Sequence, residues 1–521
     1  MASESNYSGS FQIPTPKGVY QAAGDTNINA NYAYRAENIR TDRGLLASAD
    51  GTSRAFPSLG VPVETLTRFY RRTRPDDPDV FVAAGGGKLY TYTMGSEGWV
   101  ECSVFSVDGD RLEGQAAVFG SNKWSCVNYD IGEKIPQEDG TELEVVTDIL
   151  LLSNDVDGMY AIRGDDLDAR KVYMEIGDKN GRQIDNVRFS VLGRYAERIW
   201  GTGDPRYPDT IFYSKPYNAF DWLAVKDEIA DQGGGLIQIP TWDGDSFITL
   251  GSFSGYLLAV KRRSVFEIRG TDPTTFAVHE AYGTDGPVQG ATVCIDRNAM
   301  YYLSQAGLGL YDGSSMQLLS RDALYELMRM RSGGDQDNAC ACVCDHVYYL
   351  ALTIRDEEEQ SGIENNTVIE LDTERGTFMI RRGLRVKAFY SLGGKVYYTD
   401  AHSPYEILHY NDPDATSYLG IPMHSLWETP WLDLGKSLVK RDFVLRFTAE
   451  ADEKDYPLEM TIATERREKK KTVILQRGRH DYRVKIQNAG KRVKLRIESS
   501  GRPSGWRIYG GVQVEYTFDE E

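Results

Sequence analysis

Between residues 60 and 424 one pattern of apolar and polar positions keeps returning. An apolar or alternating run meets a short polar or glycine-rich turn, and the run beyond it carries an aromatic or aliphatic pair. VFVAAGGGKLYTYT (80–93) predicts a hairpin: β-forming residues flank a triple-glycine turn, and alternation puts Tyr90 and Tyr92 on one face. DILLLSNDVDGMYAI (148–162), RYAERIWGTGDPRYPDTIFYS (194–214), GYLLAVKRRSVFEIRG (255–270) and AMYYLSQAGLGLYDG (299–313) repeat the arrangement. So do HVYYLALTI with NNTVIELD (346–354, 365–372) and AFYSLGGKVYYTD (388–400). The units recur every ~40–60 residues, the scale of a four-stranded propeller blade, and about seven of them fit a propeller of ordinary size. A many-stranded sandwich would account for the strands but not for the recurrence. The polar insert IRDEEEQSGIENN (354–366) reads as an exposed hairpin loop. Only RDALYELMRMR (321–331) has a helical period, with Leu324, Leu327 and Met328 on one face.

After Trp431 the texture changes. FVLRFTAEA, YPLEMTIATE, KKTVILQ, YRVKIQ, KRVKLRIES and GWRIYGGVQVEYTF alternate apolar with charged residues, which predicts half-exposed antiparallel strands in a small sandwich. Residues 1–35 have no helical period and read as an extended arm that orders against something else. Its apolar residues Phe11, Ile13, Val19 and Tyr20 are the expected contacts with a neighbouring subunit. The expected fold is therefore all-β: an extended arm and closing strand (1–56), a β-propeller-like body of about seven blades (57–424), and a C-terminal antiparallel β-sandwich (425–521).

Composition supports this and adds a charge asymmetry. The 521 residues include 32 Tyr, 18 Phe, 8 Trp and 51 Gly, a mixture that favours short strands and tight turns. No run approaches the ~18 apolar residues of a membrane span, and MASESNYSGS lacks the basic start and apolar stretch of a secretory signal, so a soluble protein made in a cytoplasm is expected. The net charge is −18. From Asp433 onward there are 20 Lys and Arg against 15 Asp and Glu, while the rest of the chain has 39 against 62. So acidic a body is unsuited to wrapping nucleic acid, whose affinity comes from neutralised phosphates.

The chain is poor in recognisable chemistry. No P-loop, Rossmann turn, HExxH, GxSxG or EF-hand pattern occurs, and the six histidines are scattered. Cys340, Cys342 and Cys344 alternate along one apparent strand; a soft-metal site would need ligands that diverge more, so they read as small buried hydrophobes. The acidic turns NDVDG (154–158) and GDDLDAR (164–170) lack the spacing of a calcium loop and read as turn chemistry. EGWV (97–100), DGDS (243–246) and DWLA (221–224) are faint, non-recurring echoes of sialidase and WD turns. The expectation is no catalytic residue, no cofactor and no metal.

The order of the units carries a resemblance. ERIWGTGDPRYPDTIFYSKPYNAFDW (197–222), IPTWDGDSFITLGSFSGYLLAVKRRSVFEIRG (239–270) and YYLSQAGLGLYDGSS (301–315) resemble successive elements of tailed-bacteriophage virion proteins of the β-propeller tail or nozzle type. RAENIRTDRGLLASADGTSRAF (35–56) is similar to that family's opening, although Ala47, Ser48, Ala49 and Asp50 stand where its pattern has an arginine after the leucine. KRVKLRIESSGRPSGWRIYGGVQVEY (491–516) is similar to its closing strands. The resemblance implies a ring-forming structural component at the DNA exit, located in the virion tail after assembly in the host bacterial cytoplasm. Its implied partners are copies of itself and other tail, adaptor or portal-associated proteins. DNA would pass through it without specific binding. The competing expectation is a receptor- or glycan-binding propeller at the tail tip, using aromatic loops such as Tyr213 to Trp222.

Overall fold

A computed structural model describes residues 7–22, 28–42, 44–136, 142–177, 183–184, 186–223, 232–281, 286–296, 298–332, 338–355, 365–499 and 505–518. The chain is nearly all β and forms two compact units. One comprises residues 1–55, 319–387 and 408–521, the other residues 56–318 and 388–407. Among the described residues no helix is long and apolar enough to cross a membrane.

The unit centred on residues 56–318 is a succession of antiparallel meanders. The first, Thr65–Phe69, Val80–Gly85, Lys88–Thr93 and Val100–Glu101, contains the predicted hairpin; Gly86 (φ +60°) and Gly87 (φ +75°) make its turn, where a side chain would be strained. A five-stranded sheet follows within residues 104–171, then four-stranded sheets within 191–238, 247–281 and 294–318.

Both faces of the inner strands, such as Val80–Gly85 and Tyr256–Lys261, are buried. Leu150 and Leu152 pack with Phe69, Val80 and Val82 of the preceding sheet, while Ile149 and Leu151 point the other way, to Phe189, Phe212 and Trp222. Leu257 and Ala259 join Trp200 and Ile211; Leu258 and Val260 join Met300 and Tyr302. Each sheet thus shares one core with the sheet before it and another with the sheet after it. That is why the strands read as unbroken apolar runs such as Ile149–Leu152. Cys340–Cys344 to Thr377–Arg382 form a sixth meander, and Val386–Leu392, Lys395–Asp400 and Ser403–Asp412 begin a seventh, in keeping with the propeller-like body expected.

In the other unit all six strands expected after Trp431 are present: Lys440–Ala451, Tyr456–Thr464, Glu468–Leu475, Gly478–Gly490, Val493–Ser499 and Trp506–Phe518. Alternation holds residue by residue, with Val493, Leu495 and Ile497 buried and Lys494, Arg496 and Glu498 between them only partly so. The packing nevertheless divides the chain differently from the expected arm, body and sandwich. Arg35–Glu37 lies parallel to Thr377–Arg382 on one side and antiparallel to Ser425–Glu428 on the other, and Ser425–Glu428 pairs with Val493–Ser499. One nine-stranded sheet therefore runs from Cys340–Cys344 through the N-terminal strand to Glu468–Leu475.

The predicted helix at 321–331 is two short pieces, Ser320–Ala323 and Tyr325–Arg329, broken at Leu324 (φ −123°, ψ 30°). Leu324 and Leu327 are buried and Met328 half-buried. The break has a cause. The hydrogen bond that would continue the helix, from Leu327 N to Ala323 O, is intercepted by Gln21. Its backbone N donates to Ala323 O (2.7 Å) and its Oε1 accepts from Leu327 N (3.2 Å). Most of the insert expected as a hairpin loop, residues 356–364, lies outside the described residues.

Candidate functional site

The four arm residues expected to reach a neighbouring subunit lie against their own chain. Tyr7–Ile13 pairs antiparallel with the C-terminal strand, Tyr7 opposite Phe518 and Ile13 opposite Val512. Tyr7 stacks on Phe518 with ring centroids 5.9 Å apart, and Gln12 Nε2 donates to Gly510 O (2.8 Å). Ile13 is fully buried. Val19 is buried too, its N donating to Phe378 O (2.8 Å), while Tyr20 N donates to Ala33 O (2.9 Å) and its ring meets Tyr32. The expectation is corrected for Ile13 and Val19, whose surface is spent inside the chain; Phe11 and Tyr20 keep part of theirs. The physical reason is that the strand Trp506–Phe518 offers Ile13 an edge to pair with in cis, and the backbone of Ala33 and Phe378 does the same for Val19.

A dense polar cluster among the described residues was not anticipated. Arg381, almost wholly buried, donates through Nε to Glu370 Oε1 (2.9 Å), through Nη1 to Asp50 O (3.1 Å), and through Nη2 to Asn411 Oδ1. Tyr410 Oη donates to the same Glu370 oxygen (2.8 Å). Beside it Tyr418 Oη and Arg382 N both donate to Asn38 Oδ1 (2.9 and 3.0 Å), while Asn38 Nδ2 donates to His424 O (2.7 Å). Burial pushes the Tyr418 hydroxyl up to about 12 and the Tyr410 hydroxyl well above its ordinary range. Burial also raises the Asp50 carboxyl, against the pull of Arg40 and Arg381.

This cluster joins the N-terminal segment, the sheet at 340–382 and residues 408–424, and its bonds to Asp50 O and His424 O and from Arg382 N tie backbone segments together. Two mid-strand charges were its signal in the sequence, Glu370 in VIELD and Arg381 in FMIRR.

The loop offered as a sugar platform is only partly packed away. Trp222 is fully buried with its indole N–H donating to Ala219 O (2.9 Å), and Tyr213 is buried against Trp200, while Tyr217 between them stays 64% exposed. Further along the chain Trp242 is 95% exposed at the tip of a polar turn. That turn is firmly based. Lys261 is fully buried, and its Nζ donates to Ile239 O (2.8 Å) and Thr241 Oγ1 (3.3 Å) while lying 4.7 Å from the centre of the Phe247 ring. Burial lowers its pKa. Arg263 N donates to Asp245 Oδ2 (3.0 Å) from the far side.

The remaining candidates serve local structure. In NDVDG, Asn154 Oδ1 accepts from Val156 N and Asp157 N, and the Asp157 carboxylate accepts from Gly120 N and Ser121 N (2.8 and 3.1 Å). In GDDLDAR, Asp166 pairs with Arg170. Cys340 and Cys342 are buried in their strand. Among the described residues no group of three or more His, Cys, Asp or Glu is placed to hold a metal ion.

No protein-family model matches the chain, and no curated protein matches it significantly. Solved structures do. The extracellular domain of a one component system from B. thetaiotaomicron aligns over 87% of this chain at 11% identity and a TM-score of 0.42, the chain spanning 59% of that domain's length. The WD40 domain of Neurospora crassa Pan2 aligns over 70% of this chain and 96% of its own at 8% identity and a TM-score of 0.34. An exo-β-1,3-galactanase from Phanerochaete chrysosporium aligns over 66% of this chain and 99% of its own at 8% identity and a TM-score of 0.23.

Proposed function

We propose that this chain is a non-enzymatic structural protein of a tailed-bacteriophage virion, a ring-forming, nozzle-like tail component that lines or extends the DNA ejection channel. The observation that carries the reading is the fate of the motifs whose order resembles that family. Their distinctive side chains are buried and spend their polar atoms on the chain's own backbone. Trp200 Nε1 donates to Tyr195 O (2.9 Å), and Arg198 Nη1 donates to Ser214 O (2.8 Å) and Gly233 O (2.6 Å); Trp222 and Lys261 do likewise. A motif kept for catalysis presents its polar groups to a substrate, whereas one kept for a scaffold buries them. The net −18 fits a conduit, since carboxylates repel phosphate and leave no counterion-release affinity to hold DNA. The working state is a ring of copies attached to other tail, adaptor or portal-associated proteins.

Mass spectrometry of gradient-purified particles together with a reconstruction of their tails tests the reading. The expected result is the protein in stoichiometric rings around the tail axis. Absence from purified particles, or glycan hydrolysis abolished by one carboxylate substitution, would overturn it. The second reading, a tail-tip receptor or glycan binder, loses Tyr213 and Trp222 as contacts and is favoured by the exposed Tyr217 and the protruding Trp242.

A further inference from the structure

The C-terminal sandwich presents a concentration of positive charge of which its own fold compensates only part, pairing Lys470 with Glu459 and Lys485 with Asp442. Residues 466–485 contain nine Lys and Arg and only two acids, Glu468 and Asp481, in a chain whose residues before Asp433 carry 62 acids against 39 bases. The segment folds into Glu468–Leu475 and the first half of Gly478–Gly490, the last strand of each of two sheets. These two terminal strands lie together: Lys471 Nζ donates to Lys485 O (3.4 Å). Lys469, Lys471, Arg477, Arg479, Arg483 and Lys485 are all exposed. Of these, Lys485 has a distant partner in Asp442 (3.9 Å) and Arg479 lies flat over the Tyr509 ring (4.2 Å). No carboxylate among the described residues comes within 4.0 Å of the charged ends of Lys469, Lys471, Arg477 or Arg483. Lysines on an edge strand also discourage sheet-to-sheet pairing, but one or two suffice for that, and here both edges are basic along most of their exposed length.

We infer that this basic ridge docks on the acidic surface of residues 1–432 of a second copy of the chain. The inference rests on the reading above only in taking self-association as the working state. The argument is charge complementarity: one molecule carries both an unpaired cationic ridge and a large anionic excess, so like faces repel and unlike faces of two copies attract. Repeated head to tail, such a heterologous contact closes a ring where its rotation divides a full turn, and otherwise runs on as a filament. The ridge side chains are long and solvated, so their contribution falls with salt over a Debye length of ~8 Å at physiological ionic strength.

Light scattering and mass photometry of the purified full chain from 50 to 500 mM NaCl test this, with three proteins. One is the wild type, one a charge reversal (Lys469→Glu, Lys471→Glu, Arg483→Glu), and one a neutral set (Lys469→Gln, Lys471→Gln, Arg483→Gln). Circular dichroism checks that each folds; the positions are exposed, and the neutral set guards against misfolding of the reversal. Wild type is expected to form assemblies whose apparent Kd rises at least tenfold across the salt range. The reversal should raise Kd more than tenfold at 50 mM and the neutral set by less. A wild-type monomer at every salt, assembly indifferent to both variant sets, or variant-sensitive binding only to a fluorescein-labelled DNA duplex each overturns the inference. Salt- and variant-sensitive self-assembly of a protein absent from purified particles would retain it and remove the virion reading.

Discussion

A strand in the unit centred on residues 56–318 and a strand in the C-terminal sandwich solve opposite packing problems. Ile149–Leu152 sends alternate side chains into two cores, so every position must be apolar and no register slip carries it to solvent. Gly478–Gly490 sends Val484 and Ile486 into one core and Arg483, Lys485 and Gln487 towards water, so a one-residue slip would bury the charges and strand the aliphatic side chains outside. The first kind of strand draws its stability from area, about 1.5–3 kcal/mol per fully buried aliphatic side chain. The second draws its register from alternation. Polar residues therefore mean different things in the two: ordinary in the sandwich, and costly wherever both faces are covered.

The comparison breaks hardest at a charge placed inside a propeller-type sheet. Arg381→Met should lower stability by about 3–5 kcal/mol, because Glu370 stays behind with Tyr410 and Asn411 but without its cation. The pair Arg381→Met with Glu370→Gln should recover much of that loss in urea unfolding. Recovery of nothing would show that the guanidinium's bonds to Asp50 and Asn411, and not charge, hold the cluster.

Next is the contrast itself. Leu151→Ala should cost about 2–5 kcal/mol, whereas Gln487→Ala, exposed on a sandwich strand, should stay within about 0.5 kcal/mol. Equal shifts in unfolding midpoint would erase the distinction drawn here.

A smaller effect is expected at Gln21. Gln21→Ala leaves Leu327 N without its acceptor and should cost about 1–3 kcal/mol. Unchanged stability would mean that Leu327 N turns back to Ala323 O and the two helical pieces merge, which a gain in helical circular dichroism would reveal.

The least effect concerns an exposed turn outside both cores. Asp312 is held down at about 2, first by the N–H of Ser315 and then by the hydroxyl and N–H of Ser314. A carboxyl lowered in the folded state stabilises above its unfolded pKa of ~4 and loses that contribution as pH falls towards 2. The Asp312→Asn variant should therefore melt slightly below wild type at pH 6 and together with it near pH 2. A constant difference at both pH values would detach the turn from the carboxylate.

Local periodicity made most of this fold legible. Every strand after Trp431 could be read because a one-sided surface writes its register into the sequence, and the hairpin at 80–93 because a two-residue glycine turn has few alternatives. What could not be read depends on partners far along the chain. The arm looked unpartnered because its partner is Trp506–Phe518, and residues 321–331 looked like one helix because nothing local announces Gln21. The buried cluster was hidden for the same reason: Glu370 and Arg381 are visible as mid-strand charges, but the tyrosine and asparagine that satisfy them lie at 410 and 411, and the adjoining Asn38–Tyr418 bond spans 380 residues. Trp242 was passed over because WDGD reads as a turn, and a turn pattern does not say which side chain stands clear of it.

The position of Arg35–Glu37 has a consequence for synthesis. This strand pairs with Thr377–Arg382 and Ser425–Glu428, and the sheet it completes needs Val493–Ser499 beyond them. At bacterial or eukaryotic elongation rates the ribosome reaches those residues roughly 20–90 s after it has made Arg35. During that interval the meanders between them can form in turn, each from contacts close in sequence, while the N-terminal strand waits with unpaired backbone. A nascent chain stopped short of its last hundred residues would then keep an open edge in the middle of its largest sheet. Completion, not initiation, is the step at which this molecule becomes safe from its own edges.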